Sequence, residues 1–183
     1  MRSDTFLSLT LKVVIVHTVT YFLMGLLAFT LLDYAGRFAD PAVATFMRQA
    51  SDPWVASGPL FQVLRGLLFG IAFYPLREIV FARKHGWLVL WLVLVVVGIL
   101  APFGAAPSSI EGMIYTILPI SFHVMGLPEV VIQAFLLAFL SHYWINHPEK
   151  KWLDWVLGVA FISVLLLSTV GVLAGLGFIP QTP

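Results

Sequence analysis

The sequence predicts an all-α, polytopic integral membrane bundle, and three observations carry that prediction. First, 60% of the 183 residues are hydrophobic, only 10% are charged, and the mean hydropathy is +0.98. That composition lies well outside the soluble range. Second, ten Lys and Arg with nine Asp and Glu cannot cover the surface of a water-soluble domain of this length. In a bilayer the outer surface can itself be Leu, Val, Ile and Phe. Third, the apolar residues fall into five runs of roughly the 20 residues that cross a hydrocarbon core of about 30 Å.

The first span is expected over residues 7–32, with Asp33 and Tyr34 at its far end. It is too long for a signal-peptide core and no clear small-residue cleavage site follows, so it reads as a retained span. From Ala35 to Gly58 the chain is more polar. There, Asp40-Pro41 reads as an N-cap followed by proline at the first helical position. Val43, Phe46, Met47 and Ala50 then recur at helical spacing. An interfacial helix over residues 41–51 is therefore expected, closed by Asp52-Pro53 with Trp54 as an anchor.

The second span is expected over residues 59–81 and the third over 87–101, joined by the tight polar turn Ala82-Arg83-Lys84-His85-Gly86. The stretch from Ile110 to Asn146 is too long for one helix of ordinary span length, since it would exceed about 50 Å at 1.5 Å per residue. Gly126-Leu127-Pro128-Glu129 reads as a break and a new start, with proline and an acid in the first turn. This puts the fourth span at residues 128–146. It leaves residues 109–125 as a broken segment, interfacial or re-entrant, interrupted near Pro119. The fifth span is expected over residues 153–178. A single domain covers residues 1–183, with no internal repeat.

Basic residues orient the spans. With the N-terminus inside, the inner side holds Arg2, Lys12, Arg77, Arg83, Lys84, Lys150 and Lys151, and the outer side holds Arg37 and Arg48. The expectation is a multi-pass protein of the cytoplasmic (inner) membrane, N-terminus inside and C-terminus outside. Trp87, Trp91, Tyr143, Trp144, Trp152 and Trp155 suit an inner aromatic belt. Gly66 with Gly70 and Gly171 with Gly175 form two GxxxG spacings, which favour close helix approach.

Polarity inside a membrane is expensive, so the polar residues within spans are the functional candidates. Arg65 falls in the second span, on one helical face with Gln62 and Phe69. Glu129 is an acid near the start of the fourth span, with Gln133 a turn below it. An Arg65–Glu129 ion pair in the outer third of the membrane is expected. It either fixes helix packing or marks a polar cavity in which arginine meets an anion or a lipid head group. Glu111 and His123, in the broken segment, join that candidate ligand-binding set. His17, central in the first span, is a proton-relay candidate, weighed against a plain interhelical hydrogen bond.

Other chemistries are disfavoured. With no cysteine there is no disulfide, thiolate site or Cys nucleophile. A net charge of +1 gives no nucleic-acid footprint. No histidines pair at one depth for haem, and Glu111, His123 and Glu129 lack a recognisable metal spacing. No catalytic residue, metal or cofactor is expected, and an enzyme is the weakest reading. The functional expectation is a protein that binds or passes a small anionic or lipidic ligand from an outward-facing polar cavity, as a carrier or channel-like subunit. The alternative is an accessory or scaffold subunit whose intramembrane charges are structural. The bilayer is the expected partner, with a homo-oligomer or another membrane protein beside it.

Overall fold

The computed structural model describes residues 5–179, and within them every regular element is helical. Helix α1 (Phe6–Leu31) starts at Thr5, whose hydroxyl accepts from the Ser8 N–H at 3.3 Å. It stops where Asp33 turns left-handed at φ 48°, a conformation Asp tolerates better than most residues. The same carboxylate then caps α2 (Tyr34–Ala39) by accepting from the Gly36 N–H.

The connection between α2 and the next long helix continues in single turns. Asp40 caps α3 (Pro41–Ala44) as its sequence context predicts, but the helix ends at Ala44 and does not run to residue 51. Asp52 opens the next turn, α4 (Pro53–Ala56), where it was expected to close the previous one. In both places an Asp-Pro pair starts a helix because the carboxylate satisfies an orphan N–H and proline needs none.

Helix α5 (Gly58–Phe73) is shorter than the expected second span. Pro75 lacks the N–H to continue it, and a turn leads to α6 (Arg77–Val80). Helix α7 (Gly86–Val95) passes directly into a π-helical turn at Val96–Leu100. Gly86 is required at this corner, since a Cβ there would lie 2.4 Å from the Val80 carbonyl oxygen. Helix α8 (Ile110–Tyr115) is short, and α9 (Ile120–Asn146) and α10 (Lys151–Gly175) complete the chain.

The expected break at Gly126–Glu129 is not there. Helix α9 runs unbroken through Pro128, although proline removes the donor that would reach the Val124 carbonyl. Prolines are tolerated in this way within membrane helices generally. Interruption near Pro119 does occur, between α8 and α9, so residues 120–125 belong to the long helix and not to a separate broken segment.

Helices α1, α9 and α10 are each long and apolar enough to cross a membrane. At 26, 27 and 25 residues they measure about 37–40 Å. Two shorter apolar helices accompany them, Gly58–Phe73 and Gly86–Leu100. Leu, Val, Ile and Phe dominate the bundle's exterior, as a lipid-facing surface requires. Helix α1 is central and packs against α5, α9 and α10, while α7 packs on α9. Half of α1's most apolar window is buried, against 17% for α10.

Contacts show which segments share an end. Lys12 lies over the Trp144 ring, His142 meets the Arg83 carbonyl at 3.0 Å, and Asn146 donates to the Phe81 carbonyl at 2.8 Å. At the opposite end, Tyr34 meets Glu129, Arg37 meets Met125, and the Ser168 hydroxyl donates to the Ala56 carbonyl. Arg2 lies outside the described residues.

Candidate functional site: a cavity at the Tyr34–Glu129 end

The seam between α1 and α5 is built from residues four apart, Gly58, Gln62, Gly66 and Gly70. A Cβ at Gly66 would sit 2.8 Å from the Val14 Cα, and one at Gly70 would sit 2.9 Å from the Thr10 Cα. Such backbone proximity is what small residues allow in membrane helices. The one larger member, Gln62, is buried and its amide accepts from His17 Nε2 at 3.0 Å. Gln62 Nε2 is committed to the Gly58 carbonyl at 3.2 Å, so its oxygen faces His17 and the imidazole proton sits on Nε2. Phe69 closes the pocket edge-on, 4.9 Å from the imidazole. His17 thus holds two helices together, the hydrogen-bonded alternative to a relay.

Arg65 does not reach Glu129. Its guanidinium lies 5.4 Å from the Phe69 ring, and no ion pair joins it to Glu129 among the described residues. Depth explains the difference. Helix α5 begins level with Tyr21, whose hydroxyl would lie 3.2 Å from a Cβ at Gly58. Arg65, between Gln62 and Gly66, is therefore level with the middle of α1. Glu129 instead meets Tyr34, beyond the end of α1.

The Tyr34 hydroxyl donates to Glu129 Oε2, joining α2 to α9. Burial and the neighbouring carboxylate push the Tyr34 phenol above its ordinary range. Beside this pair lies a cavity of about 800 Å³, lined by the C-terminal halves of α1 and α10. Its walls are mainly apolar, with Phe22, Leu26, Phe29, Trp54 and Leu167 among them. Its polar groups are few: Tyr21, Tyr34, Arg48, Glu129 and Ser168. A volume of this order suits a ligand with an apolar body and a few oriented polar groups. Arg48 is already engaged with Asp52 at 2.8 Å and lies 5.7 Å from the Trp54 ring. The Asp52 carboxyl is held below its usual range by the Trp54 N–H and by Arg48.

A second cavity of about 180 Å³ lies on the other side of Tyr34 and Glu129, lined also by Arg37, Ser108 and Met125. Its wall is held by His123, which is fully buried. Its Nδ1 accepts from the Ser108 N–H at 2.9 Å, and the Ser108 hydroxyl donates to the His123 carbonyl at 2.8 Å. Gly126 lets this connection lie close, since a Cβ there would meet Ser108 Oγ at 3.2 Å. The glycine read as a helix break is thus a point of close approach.

Of the candidate residues, Glu129 lines both cavities. His123 supports the smaller one from behind. Arg65, His17 and Gln133 line neither, and Glu111 is exposed in the first turn of α8, where a carboxylate favours the helix N-terminus. No group of three or more His, Asp or Glu that could hold a metal forms among the described residues. Local spacing does not single out Tyr34, Arg37 or Tyr21, because nothing local ties position 34 to position 129.

The arrangement defines the class: a helical bundle with membrane-length apolar helices and an amphiphile-sized cavity near one end. In comparisons with known proteins, no family model, curated protein or solved structure matches the chain.

Proposed function

We propose that this chain is an integral membrane protein that binds a lipidic ligand in the cavity beside Tyr34 and Glu129. The observation that carries the reading is that cavity itself, about 800 Å³, apolar along its walls and polar at one edge. The apolar walls favour an amphiphile over a small free anion. Five spans, with α5 and α7 crossing as well, and an N-terminus inside accompany this reading. It is supported by the segregation of Lys12, Arg77, Arg83, Lys84, Lys150 and Lys151 to one end.

The test uses a cavity-filling substitution. Gly25 lines the cavity and a Cβ there has nothing within 4 Å. Gly25→Leu should therefore occupy the space without a clash. Full-length protein released from non-ionic detergent into native mass spectrometry should retain an added monoacyl lipid, and Gly25→Leu should lose it. Equal retention by both would remove the cavity as the site and leave the accessory-subunit reading. Because the chain has no cysteine, Lys84→Cys and Phe103→Cys each create a unique thiol. A membrane-impermeant maleimide added to intact cells should label the second and spare the first.

A further inference from the structure

We infer, resting on the lipid-binding reading above, that the ligand is a zwitterionic amphiphile. Its anionic group would meet Arg37, its ammonium group would meet Glu129, and its acyl chain would lie in the larger cavity.

Four observations converge on that class. Arg37 and Glu129 carry opposite charges and line the same 180 Å³ cavity, yet they form no ion pair with each other among the described residues. The Arg37 guanidinium lies against the Met125 thioether, a weak acceptor that supplies no counter-charge. Arg48, by contrast, already has a carboxylate. Glu129 uses Oε2 for the Tyr34 hydroxyl, which leaves Oε1 for another donor. Finally, the two cavities adjoin: Tyr34, Phe38, Met47 and Glu129 line both. A head group placed between Arg37 and Glu129 therefore sits next to a chain-sized apolar space.

Charge balance separates the candidate head groups. A purely anionic head would satisfy Arg37 but face the Glu129 carboxylate. A purely cationic head would satisfy Glu129 but face Arg37. A neutral head would shield both charges from water without pairing either, which is unfavourable for partly buried groups. Only a head carrying both signs, such as a phosphate beside a primary ammonium, pairs each side chain with its opposite.

The experiment compares three lipids of identical acyl chain on the full-length protein in non-ionic detergent, read by native mass spectrometry. They are lysophosphatidylethanolamine, with both charges, lysophosphatidic acid, with only the anionic one, and a monoacylglycerol, with neither. The expected result is a preference of about tenfold or more for the zwitterion over each of the others. Arg37→Gln should abolish its advantage over the monoacylglycerol, and Arg37→Lys should restore part of it. Glu129→Gln keeps an acceptor for Tyr34 and should abolish the advantage over lysophosphatidic acid. Equal retention of all three lipids, or a preference for lysophosphatidic acid, overturns the inference and leaves the cavity reading standing. No retention of any lipid by the unaltered protein overturns the cavity reading itself. The ranking on the unaltered protein decides the matter even where a variant fails to fold.

Discussion

The backbone N–H of Ser108 donates to His123 Nδ1 at 2.9 Å, while the Ser108 hydroxyl donates to the His123 carbonyl at 2.8 Å. This double contact fixes the imidazole as the tautomer protonated on Nε2, which faces Thr116 Oγ1 at 3.4 Å. It also holds Ser108 in a left-handed conformation, φ 68°. One histidine therefore determines how the connection between α7 and α9 lies against the bundle.

Replacing His123 by Ala leaves the Ser108 N–H without its acceptor in a buried place. A loss of about 2–4 kcal/mol is expected, combining the orphaned donor with the cavity left behind. His123→Asn, which keeps an acceptor near the Nδ1 position, should recover part of it. Thermal unfolding in detergent measures both, and equal Tm values for the two variants would count against the role assigned to Nδ1.

The α1–α5 seam should be intolerant of a single methyl group. At Gly66 the added Cβ would lie 2.8 Å from the Val14 Cα, so Gly66→Ala should destabilise by about 1–3 kcal/mol. Gly98→Ala, with nothing within 4 Å, is the control and should be neutral or slightly stabilising. Denaturation of the two variants side by side distinguishes packing from any general effect of removing glycine.

His17 and Gln62 should behave as a coupled pair. Gln62→Leu strands His17 Nε2 and His17→Leu strands the Gln62 oxygen, each costing about 1–2 kcal/mol. The double variant should cost less than the two singles together, because neither polar group remains. A double-mutant cycle gives the coupling, expected near 0.6 kcal/mol and below about 1.7 for a hydrogen bond between membrane helices. Strict additivity would deny the contact.

Tyr34 predicts an alkaline dependence. Its phenol is held above the ordinary value near 10, so the folded state keeps the proton longer than the unfolded chain. Its stabilisation is therefore complete below about pH 10 and declines as pH rises toward the folded value. Tyr34→Phe should be less stable at neutral pH by about 1 kcal/mol, and the gap should narrow above pH 10. Tm recorded for both proteins from pH 7 to 11 tests this, and a constant gap would contradict it.

Composition and hydrophobic run length were enough to read the helical class and the three membrane-length helices, because a span must be apolar over its whole length. Local chemistry was legible where it is self-contained, as in the Asp40-Pro41 cap and the stop near Pro119. Pro128 and Gly126 misled because their meaning is tertiary. Helix α9 continues through the proline, and the glycine makes room for Ser108 Oγ. The Arg65–Glu129 pairing failed for a related reason. Sequence position gives depth only relative to the ends of each apolar run, whereas α5 starts level with Tyr21, well short of the end of α1. Glu129 stands out in the sequence as an acid inside an apolar run, but its partner Tyr34, 95 positions away, leaves no trace in local spacing.

If α5 and α7 cross as proposed above, the unequal helix lengths give the protein a varying hydrophobic height. Helix α5 alone reaches about 24 Å and the α7 segment about 22 Å, beside neighbours of about 37–40 Å. Lipid abutting the short elements must thin and lipid abutting the long ones must stretch, unless the long ones tilt. Each ångström of mismatch carries a modest elastic penalty, so membrane thickness becomes a variable to which this bundle responds. Reconstitution in short-chain and long-chain phosphatidylcholines should therefore change the tilt of α9 and α10 before it changes anything inside the core.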